Sequence, residues 1–241
     1  QYFPNSKRVI DHWIVTANNL FCEVIIKDKL PISEMPPVQL SNILSSQEED
    51  ILNYRSRFKK NVFEAAYEEL GEDSINCCCI PPKADFIEST SDNQLDWDPV
   101  SSFCKNPLQS EESFNEQKFA IKKTVESIDR YRNFILQTSY TKNIGIRGSP
   151  GGGKTWCMMY LVLYAISQGN VVVTTALMCK RAIQLGGIHI AQLFKNPSES
   201  TASAHCQAEL AILSLMRKQE KLEFLRALNT IYFDEMGQVS D

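Results

Sequence analysis

Apolar positions along this chain follow two periods, and the switch between them divides it. Ile51, Tyr54, Phe58, Val62 and Ala65 recur at three- and four-residue steps, the spacing of one helix face. Just ahead, Ser46-Gln47-Glu48-Glu49 has the capping-box form, in which Ser and Glu side chains each satisfy an orphan backbone donor. A helix is therefore predicted from about residue 47 to 70. Ser113-Phe114-Asn115-Glu116 repeats the form and opens a second helix with Ile121, Val125, Ile128 and Ile135 on one face. From there elements alternate. Asn143–Arg147 reads as a short strand, and Lys154–Ser167 as an apolar helix stopped by Gly169. Val171-Val172-Val173-Thr174-Thr175 is β-branched throughout, as a strand buried on both faces would be. A long helical segment runs from about Gln207 to Leu228, and Thr230-Ile231-Tyr232-Phe233 is the next strand. Strands alternating with helices predict an α/β fold with a parallel sheet in three layers.

Between the two capped helices, residues 73–112 are rich in Ser, Asp, Asn and Pro and lack periodicity, which reads as an acidic linker or insertion. Three segments result: 1–72, partly helical or irregular and without an assignable role; 73–112; and the α/β segment 113–241. Residues 1–45 hold short apolar runs, Trp13-Ile14-Val15 and Val24-Ile25-Ile26, and a turn at Pro36-Pro37. The chain begins at Gln1 and stops at Asp241 directly after an acidic pair, so it reads as part of a longer protein.

Charge sharpens this division. The net charge of −4 is uneven: residues 84–116 carry one lysine, Lys105, against eight acids, while 117–241 carry 15 basic and nine acidic residues. The positive segment could face a phosphate backbone, although an excess of this size also suits an ordinary solvated surface. The eight cysteines form no CxxC pair, and the adjacent Cys77-Cys78-Cys79 with Cys104 is a poor match for tetrahedral zinc. Free thiols in a reducing, intracellular compartment are the better reading. The apolar stretch Thr155–Gln168 is too short to span a bilayer, so no membrane is expected.

The clearest chemistry lies at Gly148-Ser149-Pro150-Gly151-Gly152-Gly153-Lys154-Thr155, which fits G-x-x-x-x-G-K-[ST]. Glycines let such a loop wrap with its N–H groups inward, a nest for phosphate oxygens. The helix behind adds its positive end. Lys154 would reach the β- and γ-phosphates of ATP, Thr155 would ligate Mg²⁺, and Trp156 closes the nucleotide-binding stretch. Asp234-Glu235 ends the predicted strand at 230–233, where carboxylates of parallel strands meet the ligand crevice. Asp234 would hold Mg²⁺, and Glu235 would orient or deprotonate the attacking water. Gln117, just inside the second capped helix, has an amide able to donate to and accept from the adenine edge.

From Gln117 to Asp241 the chain resembles superfamily 1 helicases, and among them the PIF-type DNA helicases. Ser113–Gln117 looks like the adenine-contacting motif, and Gly148–Thr155 like the first helicase motif. Thr174-Thr175-Ala176 through Ala182-Ile183-Gln184-Leu185-Gly186-Gly187 is similar to the next motif, and Asp234-Glu235-Met236-Gly237-Gln238-Val239 to the Asp-Glu motif. The resemblance implies a RecA-like P-loop NTPase domain, ATP and Mg²⁺, contacts to single-stranded DNA from Thr175, Gly187 and His189, and 5′-to-3′ movement. It also implies a second RecA-like domain downstream of Asp241 and, in a eukaryote, a nuclear location. The family's histidine falls four residues after the paired glycines, where this chain has Ala191; His189 sits two residues earlier, and helix capping is an equal reading of it. Gly237 and Gln238 also depart from the family pattern. The rival expectations are an AAA-type remodeller, a viral-type RNA helicase, and an inactive nucleotide-binding module derived from a mobile element.

Overall fold

A computed structural model of the chain describes residues 37–88, 93–103, 114–133, 144–195 and 203–235. These comprise helices α1 (Pro37–Leu70), α2 (Glu72–Cys77), α3 (Lys83–Glu88), α4 (Pro99–Phe103), α5 (Asn115–Asn133) and α6 (Lys154–Ser167), then β1 (Val172–Ala176), α7 (Cys179–Gln184), β2 (Ile188–His189), α8 (Ile190–Leu193), α9 (Ala204–Met216), α10 (Gln219–Ala227) and β3 (Thr230–Asp234). The molecule is thus mixed helix and sheet. Its strands form one sheet in the order β2-β1-β3, with β1 and β2 parallel. Two compact units share the chain: one takes Lys59–Val173 and Asn229–Tyr232, the other Gln1–Phe58, Thr174–Leu228 and Phe233–Asp241.

The first unit is built around α6. Every residue from Cys157 to Ser167 is buried, as expected of a helix apolar on all sides. Its end is a Schellman turn: Gly169, at φ 72°, donates to the Ile166 carbonyl at 2.9 Å, and Asn170 to that of Ala165 at 3.0 Å. Aromatic side chains form a continuous run along it. Phe63 meets Phe86 at 5.1 Å, Phe86 meets Trp97 at 6.3 Å, and Trp97 meets Tyr160 at 5.3 Å. Beyond it, Trp156 stacks on Tyr160 within 12° and touches Phe103 at 5.9 Å. Buried hydroxyls are paired: Tyr160 donates to the Pro99 carbonyl at 2.9 Å, Tyr164 to Asp129 of α5 at 2.7 Å, and Tyr232 to the Leu161 carbonyl at 2.9 Å. Burial raises the Tyr232 phenol above its ordinary value. The described part of the acidic stretch is packed here, with Phe86, Trp97 and Phe103 buried.

In the second unit, Tyr54 and Phe58 of α1 close on Phe224 of α10, with the Phe58 and Phe224 rings stacked at 4.9 Å. Thr175 pairs with Ile188 and Ala176 with His189 across β1 and β2. Ala208, Ala211, Ile212 and Leu215 form the buried face of α9.

Four local expectations are corrected. The helix predicted from 47 begins at Pro37, so the first capping box lies inside α1. Proline opens a helix readily, having fixed φ and no N–H to satisfy, and Glu48 and Glu49 sit exposed on the helix side without strain. The strand expected at 143–147 is not formed by residues 144–147, which have no ladder partner; Ile144 is exposed and Gly145 offers no side chain to bury. The long helix expected over 207–228 is two, broken at Arg217-Lys218. Leu215 and Leu222 suit one helix face, but Phe224 does not, and the break turns it toward Tyr54 and Phe58. Finally, β2 forms where no strand was predicted, two residues long after a glycine turn. Ile135, the Ser113 cap, residue 143 and Met236–Val239 lie outside the described residues.

Candidate functional site

Loop 148–153 sits against the N-terminus of α6. Gly151 and Gly153 take φ of 77° and 71°, a left-handed conformation that side chains resist. Gly152 N–H closes the turn on the Ser149 carbonyl at 3.2 Å. A Cβ at Gly152 would come within 3.2 Å of that same oxygen, and one at Gly153 within 2.9 Å of the Gln117 amide nitrogen. Both positions therefore favour glycine. Ser149, Pro150, Gly151 and Gly152 are exposed. No acid occupies the first turn of α6, so nothing on that turn offsets the positive end of a 14-residue helix. This backbone suits an anion.

Two side chains converge on the loop. Lys154 folds back so that its ammonium donates to the Gly148 carbonyl at 2.9 Å and the Ser149 carbonyl at 2.7 Å. Gln117, from α5, donates its amide to the Gly152 carbonyl at 3.0 Å. Gln117, the glycine loop and Lys154 are thus brought together from positions 35 apart in the chain. Thr155 is half-buried in the first turn. Trp156 is held by Phe103 and Tyr160, a packing role. Behind the loop, burial pushes the Cys157 thiol up to about 11. Shallow depressions of about 470 and 520 Å³ lie elsewhere in this unit and include no loop residue; a loop that holds phosphate by backbone N–H groups does not need a deep cavity.

The remaining candidates belong to the second unit. Asp234 accepts from the Arg181 guanidinium of α7 at 2.8 Å, the two side chains being 16% and 24% exposed. Its other oxygen accepts from the Glu235 N–H at 3.0 Å. Glu235 is exposed and takes a left-handed φ of 58°. Thr175 is buried and donates to the Ile188 carbonyl at 2.7 Å. Gly186 and Gly187 end α7 in a second Schellman turn, donating to the Ile183 and Ala182 carbonyls at 2.9 Å each. A Cβ at Gly187 would lie 1.9 Å from the Thr174 carbonyl oxygen, so β1 approaches too closely for any side chain. His189 caps α8: Nδ1 accepts from Ala191 N–H at 3.2 Å and Nε2 lies 2.6 Å from the Leu177 carbonyl. The residues expected to touch DNA are each engaged within the fold.

Arg181 was missed by sequence reasoning. Its partner is 53 positions away, and one arginine on a short helix gives no signal of its own. Among the described residues no cluster of three His, Cys, Asp or Glu forms a metal site, the described cysteines are free thiols, and no helix is long and apolar enough to cross a membrane. No protein-family model, curated protein or solved structure matches the chain.

Proposed function

We propose that this chain binds ATP with Mg²⁺ and is part of the motor of a DNA helicase. One observation carries the nucleotide reading: G-x-x-x-x-G-K-T closes on an acid-free helix N-terminus, with two left-handed glycines and a lysine folded across the loop. The loop N–H groups and the helix end would hold the phosphates. Lys154 would exchange two carbonyl oxygens for phosphate oxygens, gaining charge-assisted bonds for neutral ones. Gln117, already at the loop, would turn its amide to the base. Thr155 supplies a hydroxyl for the metal, whose charge offsets that of the phosphates.

By the resemblance, Asp234 is the metal carboxylate and Glu235 orients the water. Asp234 would serve while retaining Arg181 and the Glu235 N–H, using its remaining lone pairs directly or through water. The DNA part of the proposal rests on the resemblance of 113–241 and on the positive charge of 117–241.

The test is ATP hydrolysis by the protein with and without single-stranded DNA, beside Lys154→Ala and Glu235→Gln. Stimulation by DNA that is lost in both variants is the expected result, with Glu235→Gln still binding ATP. Hydrolysis that depends on Lys154 but ignores DNA and RNA would move the assignment to a protein-remodelling ATPase. Turnover unchanged by Lys154→Ala would sink the nucleotide site itself.

A further inference from the structure

The Asp234 carboxylate joins two groups at the end of β3. Oδ2 accepts from Arg181 Nε at 2.8 Å, and Oδ1 accepts from the Glu235 N–H at 3.0 Å. Both side chains of the ion pair are largely withdrawn from water. Glu235 itself takes a φ of 58°, in the left-handed region. A non-glycine residue there crowds its own Cβ, and such a turn persists where surrounding contacts hold it. The bond from its N–H to Asp234 is one such contact.

The arginine stands on a fixed base. α7 buries Ala182 and is followed by buried Leu185, whose carbonyl accepts from the Thr174 hydroxyl of β1 at 2.7 Å. The Leu185 N–H donates in turn to the Arg181 carbonyl at 3.1 Å. Arg181 Nη1 also lies 3.5 Å from Gln184 Oε1 on the same helix. A line of bonds thus runs from β1 through α7 to the end of β3, all within the second unit.

Stability alone is a poor account of this pair. Two charges drawn partly from water gain little over an apolar pair of the same volume, whereas they define one geometry. The guanidinium bonds Oδ2 and leaves Oδ1 to the backbone, so two separate donors set the carboxylate and lone pairs remain on it.

We propose that Arg181 is a positioning residue of the acid pair: its ion pair orients the Asp234 carboxylate, which in turn holds the Glu235 backbone in its left-handed turn. Arg181 acts through these two residues and does not itself handle ATP. Its bearing on hydrolysis rests on the reading of Asp234 as the metal carboxylate and Glu235 as the group that orients water.

The experiment compares the whole protein with Arg181→Met and Arg181→Lys, and with Arg226→Met as an exposed control in the same unit. Two quantities are read. Amide exchange at Glu235 is followed by NMR in nucleotide-free protein, and kcat and KM for ATP are measured with Mg²⁺ and single-stranded DNA. Arg181→Met should exchange the Glu235 amide severalfold faster. It should also lower kcat about tenfold or more while KM for ATP stays within about twofold. Arg181→Lys keeps the charge without the planar guanidinium and should recover part of both losses. Arg226→Met should change neither. A parental kcat in Arg181→Met, or a lost kcat with unmoved Glu235 exchange, would overturn the proposal. So would a KM that rises as far as kcat falls, since that would put Arg181 in nucleotide binding. If Arg181→Met does not fold, Arg181→Lys decides alone: intermediate losses in both readings are expected, and parental values overturn the proposal. Turnover indifferent to Lys154→Ala would sink the nucleotide reading instead, and Glu235 exchange, read without nucleotide, would still decide the clamp.

Discussion

Two glycine clusters stand at helix ends in this molecule, one opening α6 and one closing α7, and they differ in how tightly the protein fills the space glycine leaves. At Gly151-Gly152 the backbone is exposed, and Gly151 has nothing within 4 Å of where a Cβ would stand. At Gly186-Gly187 the vacated space is filled by the protein, with the Thr174 carbonyl 1.9 Å from a Cβ at Gly187. Paired glycines in a sequence signal a need for room without saying what takes the room. One cluster leaves its backbone open to solvent, and the other lets the turn after α7 lie on β1.

The contrast is most directly broken by substitution. Gly187→Ala should destabilise the fold by about 3 kcal/mol, an overpacking cost against backbone that cannot yield, and lower the urea midpoint. Gly148→Ala, whose Cβ would meet nothing nearer than the Lys154 stem at 3.8 Å, should stay within about 0.5 kcal/mol of the parent. Equal losses would erase the distinction. Next, Arg181→Met leaves Asp234 without its partly buried partner and should cost about 2 kcal/mol; a double-mutant cycle with Asp234→Asn should recover most of that as coupling. Lys154→Ala should leave the melting curve unmoved while ATP binding weakens by about 2 kcal/mol, some thirtyfold. An unfolded Lys154→Ala protein would make the loop a structural device like the other turn.

The smallest effects are thiol and amine titrations. Cys157, in the first turn and a half of α6, is held up at about 11 by burial, whereas Cys179 at the start of α7 is exposed. Alkylation at pH 8 should label Cys179 and spare Cys157. For Cys157 the folded state keeps its proton longer than the unfolded chain, so its contribution to stability falls as pH rises from about 9 to about 11. Lys221 runs the other way. Its value, lowered by burial, should let it acylate at pH 8, and its share of stability should grow between about 8 and 10.5.

Much of this was legible because the signals are local. α6, β1 and β3 follow from apolar runs, and the loop from eight consecutive residues. Gln117 was legible as a candidate because one amide can read a base, and the structure shows that amide donating to the Gly152 carbonyl of the loop. What could not be read depends on partners distant in sequence. Phe86, Trp97 and Phe103 are spaced irregularly in an acidic stretch that looks unstructured, yet each is buried. Phe224 breaks a helical pattern because Tyr54 and Phe58 require it elsewhere. Thr175 and His189 carry polar groups that could serve DNA or the fold equally, and only their hydrogen bonds show the internal use.

The aromatic run along α6 has an optical consequence. Trp156 lies two residues past Lys154, with its indole stacked on Tyr160, while Trp97 sits further along the same run, buried against Tyr160 and Tyr164. One indole therefore neighbours the candidate phosphate loop and the other reports the interior. A protein with Trp13 and Trp97 both replaced by Phe would keep the emission of Trp156 alone as an intrinsic lamp at the loop, so that nucleotide binding could be timed in a stopped-flow instrument without a dye.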